Sequence, residues 1–218
     1  MARDWWTLIQ TGGLAMYPLL ACSVVSLAVV LERGWALWSA TRKARQLRQA
    51  VAAAVSEGAF AEVGSIVRRD SSMLAPLFRA AIAAAEARTD DSWRLLQNRH
   101  SATVRNLKRH LWLIGTIGSL APFIGLFGTV LGIVRAFENM AATGSGGFAV
   151  VAAGISEALI ATAAGLLIGV VSIFFYNAFN VRVASVANEW KEWAEEFAAE
   201  LVRNRSQEGG LARVVQAR

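Results

Sequence analysis

Glu157 is the only charged residue in the apolar run 147–181. A charge at the centre of a membrane helix costs roughly 2.5–3.5 kcal/mol on insertion scales, so such residues turn toward protein or a water-filled path. A lone carboxylate held there is suited to binding a proton or an ion. Two hydroxyls occupy comparable settings: Thr129, in the charge-free stretch 111–134, and Thr162, five residues after Glu157. On an ideal helix five residues turn through about 140°, so Glu157 and Thr162 either face neighbouring walls of one path or reach different subunits. A threonine hydroxyl both donates and accepts, which lets it bond a proton-carrying group or order water. Each residue also has a purely structural reading. Glu157 can form an interhelical hydrogen bond, and Thr129 can bond back to the carbonyl one turn earlier.

Other chemistries find no residues to carry them. Cys22 is the only cysteine, so no internal disulfide forms, and no Cys/His grouping has the spacing of a metal site. His100 and His110 lie ten apart in a basic stretch and read as ordinary interfacial residues. No GxxxxGK[ST] loop is present to cradle a nucleotide phosphate, so ATP hydrolysis is not expected. The chain is expected to be no enzyme and to hold no cofactor or metal. The chain carries a net charge of +6, but its basic residues flank apolar runs instead of forming an aromatic-interleaved patch. Membrane lipid, not nucleic acid, is the expected neighbour.

The elements that must position these groups are membrane helices. The 218 residues are 55% hydrophobic and 17% charged, with mean hydropathy +0.41. Residues 1–12 hold Trp5 and Trp6 beside Arg3 and Asp4, an interfacial anchor. The stretch 13–31 has no charge and is long enough to cross about 30 Å of hydrocarbon. Glu32 and Arg33 close it and Trp35 and Trp38 follow, which places the first span at 13–34. Leu19-Leu20-Ala21-Cys22 resembles a lipoprotein cleavage box, but nine more apolar residues follow Cys22, so the span is expected to stay uncleaved. The second span is placed at 111–137 and the third at 148–181, with a Gly-rich loop over 138–147 between them. The second carries a stripe of small residues, Gly118, Ala121, Gly125, Gly128 and Gly132. The third carries Gly154, Ala158, Ala161, Gly165 and Gly169. Such stripes let helix backbones approach closely in lipid. Pro122 loosens the ladder of the second span.

The polar segment 35–110 reads as a solvated helical hairpin. Ala-rich helical stretches are broken at Gly58, Gly64 and Asp70-Ser71-Ser72, with Pro76 opening a new helix. Thr89, Asp90, Asp91 and Ser92 offer caps for a helix that starts near Trp93 and, lacking a breaker before Gly115, runs into the second span. After the third span, 182–218 continues as a helix with Trp190 and Trp193, a break at Gly209-Gly210 and a basic tail. The segments 32–110 and 182–218 hold twenty of the twenty-two Lys and Arg residues. By the positive-inside rule these two segments lie in the cytoplasm and the N-terminus is periplasmic.

Two stretches resemble a known family. Leu120-Ala121-Pro122-Phe123-Ile124-Gly125-Leu126-Phe127-Gly128-Thr129-Val130-Leu131-Gly132-Ile133, with Phe137 beyond, is similar to the second-span signature of the MotA/TolQ/ExbB proton-channel family. Gly154-Ile155-Ser156-Glu157-Ala158-Leu159-Ile160-Ala161-Thr162-Ala163-Ala164-Gly165-Leu166 resembles its third-span signature, and Tyr176-Asn177-Ala178-Phe179 its end. Pro18-Leu19 through Glu32-Arg33 is similar to the first span of the TolQ and ExbB branch, which the three-span layout also fits better than four-span MotA. The resemblance implies an inner-membrane motor subunit that uses the proton-motive force. It implies a homopentameric ring around a dimer of ExbD/TolR-like single-span partners, each bringing a membrane Asp. It also implies that Glu157, Thr129 and Thr162 line the proton path facing that Asp. The competing expectation is a membrane scaffold in which Glu157 is structural. The expected fold is an all-α membrane protein with three transmembrane helices, the second and third extended into long cytoplasmic helices.

Overall fold

Stretches free of helix breakers become long helices. In the computed structural model, which describes residues 13–87, 90–143 and 148–216, the first is α1, Met16–Ser56. It carries the first apolar run and continues beyond it into strong helix formers. Its end is built by Gly58, which takes φ 75. Gly58 N donates to Val55 O at 3.0 Å and Ala59 N to Ala54 O at 2.8 Å, the paired bonds of a Schellman cap. Glycine is needed there because a Cβ disfavours positive φ. α2 (Phe60–Arg69), α3 (Ala75–Ala87) and α4 (Asp90–Leu107) follow. Then come α5, Leu111–Thr143, and α6, Phe148–Gln216. α1, α5 and α6 each contain a segment long and apolar enough to cross a membrane. This is an all-α membrane protein with three spans.

Several boundaries differ from those read in the sequence. The helix that begins at Asp90 stops at Leu107, and α5 restarts at Leu111 instead of continuing the same rod. The break falls at His110, which takes φ 66, a left-handed conformation that His tolerates better than β-branched residues do. Gly64 lies inside α2, and Gly209-Gly210 inside α6. Glycine within a helix costs about 1 kcal/mol relative to alanine but removes no hydrogen bond, so flanking turns carry it. α5 runs to Thr143, making residues 138–143 of the expected loop helical. The anchor 1–12, the cap Thr89 and the rest of that loop, 144–147, lie outside the described residues.

The chain divides into two compact units, Met1–Arg33 with His110–Phe179, and Gly34–Arg109 with Asn180–Arg218. In the first, Ala15, Met16 and Leu19 of the N-terminal span pack on Ala121 and Ala161, with Ile124, Ala164 and Ile168 beside them. Ser26 and Ser172 share a buried hydrogen bond of 2.8 Å between the hydroxyls of α1 and α6. The stripes of α5 and α6 face each other in antiparallel register. A Cβ added to Gly132 would stand 2.6 Å from Ala158 Cβ, and one on Gly154 would stand 2.6 Å from Ala136 Cβ. Gly128 is closed off by Ala15 and Ala161, and Gly118 by Ile173. Gly169 makes room for Pro122, whose Cγ would lie 2.7 Å from an added Cβ, and α5 remains continuous through that proline. These glycines are therefore used within one chain. The apolar side chains that remain uncovered, including Phe123, Phe127, Leu167, Val170 and Phe174, form the outward faces available to lipid or to neighbouring copies.

The second unit has a core of its own, so it is more than a solvated hairpin. α2 buries Val63 and Val67, α3 buries Leu77 and Phe78, and α6 buries Trp190, Ala194 and Phe197. Phe78 and Phe197 meet edge to face at 5.1 Å, and Arg48 lies 4.4 Å from the ring centre of Trp193. Between α2 and α3, Asp70 accepts a bond from Ser72 N at 2.7 Å and its carbonyl accepts one from Arg79 Nη2 at 3.1 Å, fixing the turn.

Candidate functional site

Antiparallel pairing of α5 and α6 sets the depth of every polar group in the first unit. Because Gly132 opposes Ala158, Glu157 lies at the level of the last turn of the charge-free stretch of α5. It opens into a cavity of about 300 Å³ whose walls are Gly13, Leu14 and Ala15, small and apolar residues of both helices, and three polar side chains. Those three are Arg135 and Asn139 of α5 and Glu157 itself. Glu157 is exposed in the single chain and accepts no hydrogen bond from another described residue. It is thus an acid facing a roomy, partly polar space instead of an interhelical clasp. Arg135 places an opposite charge on the same cavity. In the sequence, Arg135 marks only the end of the span. The signal that could have joined it to Glu157 is the shared register of the two stripes.

The two threonines are engaged elsewhere. Thr129 is buried, and its hydroxyl donates to Leu126 O at 2.6 Å, within its own helix. The Thr162 hydroxyl crosses from α6 to α5 and donates to Gly125 O at 2.9 Å. This contact exists because Gly125 has no side chain: an added Cβ would lie 2.8 Å from Ala161 O and 3.0 Å from Thr162 Cα. Both protons are therefore committed to main-chain carbonyls, and each hydroxyl oxygen remains free to accept. Neither threonine lines the cavity of Glu157. Within one chain the structure unites Glu157 with Arg135 and Asn139, and sets Thr129 and Thr162 further along the helix pair.

Replacing Thr162 tests the interhelical bond. Thr162→Val is expected to lower thermal stability in detergent by about 1 kcal/mol, the usual size of such bonds between membrane helices, while Thr162→Ser retains it. Equal melting of the two variants would contradict the assignment.

A third polar group sits where α1 leaves the apolar run. Glu32 pairs with its neighbour Arg33, and His110 Nδ1 approaches Glu32 Oε2 at 3.7 Å. The left-handed turn at His110 is what brings the imidazole to Glu32, and no sequence pattern announces it. Among the described residues no group of three or more His, Cys, Asp or Glu is placed to hold a metal ion.

A family model described as the MotA/TolQ/ExbB proton channel family matches residues 69–192, which include Thr129, Glu157 and Thr162. The chain is 30% identical over 214 residues to the Tol-Pal system protein TolQ of Pseudomonas aeruginosa, covering 91% of this chain and 92% of that one. It is 28% identical over 202 residues to TolQ of Haemophilus influenzae, with 87% and 88% covered. Against the biopolymer transport protein ExbB of Pseudomonas putida it is 31% identical over 180 residues, 78% of this chain and 54% of the relative.

Proposed function

The chain belongs to the MotA/TolQ/ExbB proton channel family, and from that premise we propose that it forms the ring subunit of an inner-membrane motor driven by the proton-motive force. Membership carries a multi-pass inner-membrane location and a proton-channel role in energy transduction. The finer reading rests on one observation: a membrane-embedded acid, Glu157, that no other described residue ties down and that faces a cavity also lined by Arg135 and Asn139.

In this reading five copies surround a dimer of single-span partners of the ExbD/TolR type. Glu157, Thr129 and Thr162 form the ring's side of a proton path, and the principal carrier is an Asp on the partner helix. The hydroxyl oxygens of Thr129 and Thr162, their protons already given to carbonyls, accept hydrogen bonds from a protonated carboxyl or from water passing along the path. The carboxylate of Glu157 holds the proton at one end. The subunit acts as a channel component, not an enzyme. One charge crossing the membrane releases roughly 2.3 kcal/mol per 100 mV, enough to shift a weakly held helix interface by one step. The basic segments lie in the cytoplasm, following the positive-inside rule.

Co-expression with a single-span protein that bears a membrane Asp tests the partner. A complex of the two that survives purification, with the native mass of five ring subunits and two partners, is the expected result. Purification of this chain alone, at any stoichiometry, in the presence of such a partner contradicts the proposal.

A further inference from the structure

Outside the proton path, the second unit contains a strongly basic cavity of about 360 Å³ that the motor reading does not use. Arg42 and Arg45 of α1 and Arg182 of α6 line it, together with Gln46, Gln49 and Trp38. On α1 the positions 38, 42, 45 and 49 follow at intervals of four, three and four, so they occupy one face. Arg42 lies over the Trp38 ring, 5.5 Å from its centre, which orients that guanidinium. No carboxylate lines the cavity, and none of the three arginines forms an ion pair among the described residues. Three guanidiniums gathered without an anion repel one another unless something negative joins them.

The position says what that anion is. Arg182 is the first charged residue after the apolar run 147–181, and the arginines of α1 follow the tryptophans that close the first span. Both helices leave the membrane in the N-to-C direction here. Side chains tilt toward the N-terminus of their helix, which for α1 and α6 alike means back toward the lipid. Long arginines at such a place reach into the headgroup layer, and basic pockets between spanning helices on the basic side of a membrane suit anionic headgroups. Guanidinium forks match phosphate oxygens in pairs, and the two glutamines add neutral donors for a polar headgroup.

We propose that Arg42, Arg45 and Arg182 form a binding site for the phosphate of an anionic glycerophospholipid. The site takes the phosphodiester through the guanidiniums.

Native mass spectrometry of the full chain in detergent, supplied in turn with phosphatidylglycerol, phosphatidylcholine and inorganic phosphate, tests this. Retention of phosphatidylglycerol over phosphatidylcholine is expected, with about a tenfold or greater loss in the double variant Arg45→Gln/Arg182→Gln and a partial loss in Arg182→Gln. The control Arg99→Gln/Arg105→Gln removes the same charge from α4 and should bind as the parent does. All these side chains are exposed, and melting temperatures confirm that each variant is folded. Equal binding by the double variant, or an equal loss in the control, overturns the site. Displacement of the lipid by inorganic phosphate would reassign it to a soluble anion and overturn the lipid as occupant.

Discussion

Gly165→Val is expected to prevent the second and third spans from closing and to lower the yield of folded protein sharply. A Cβ at Gly165 would lie 2.5 Å from Ala121 O, 3.0 Å from Gly125 Cα and 3.2 Å from Gly125 N. All three are backbone atoms of α5, so no rotamer change can relieve the clash and the helices must separate. Separation breaks the bond from Thr162 to Gly125 O and opens the packing of Ala121 and Ala161 under Leu19. Overpacking of a well-filled core costs typically 1–3 kcal/mol, and a clash with rigid backbone belongs at the upper end. Gly34→Ala is the matched control, since nothing lies within 4 Å of a Cβ there and alanine favours a helix. Thermal melting in detergent should show a loss of several degrees for Gly165→Val and little change for Gly34→Ala. Matching curves would mean that the two stripes do not pack on each other.

Glu157→Gln should abolish energy-dependent work while leaving the complex assembled. Glutamine keeps the size and shape of the side chain and removes its charge and its proton-binding capacity at ordinary pH. The parent carboxylate receives no hydrogen bond from another described residue, so folding of the chain does not depend on it. Work measured in cells should fall to the level of a deletion, and Glu157→Asp should recover part of it because the carboxylate remains. A scaffold in which Glu157 is structural predicts the reverse, with assembly lost first. The phenotype and the yield of purified complex, measured on the same cultures, separate these two outcomes.

The three spans are legible in the sequence because a bilayer demands about twenty apolar residues per helix, and composition alone reports that. The small-residue stripes are legible for the same kind of reason, since only close backbone contact makes a repeat such as Gly118, Ala121, Gly125, Gly128 and Gly132 useful. Their partner is not legible. Periodicity marks a face, and only the folded chain shows that the face of α5 meets the face of α6 in the same molecule. The break between α4 and α5 was hidden because its pivot is His110, a residue without a breaker's signature, held at φ 66. Gly64 and Gly209-Gly210 are the opposite case, glycines with a breaker's signature that surrounding turns absorb. At the site, the carboxylate and both threonines stand out as polar residues in apolar runs. Arg135 did not, because its meeting with Glu157 depends on antiparallel register between residues twenty-two apart in the chain.

In the proposed function, a carboxylate in the third span of this subunit lies on a path taken by protons. Vesicles containing the purified complex with its single-span partner, loaded with a pH-sensitive dye and given a pH step and a membrane potential, measure that directly. Proton entry should require both proteins and fall to the rate of empty vesicles in Glu157→Gln. Proton entry at the parent rate in a fully assembled Glu157→Gln complex would contradict it.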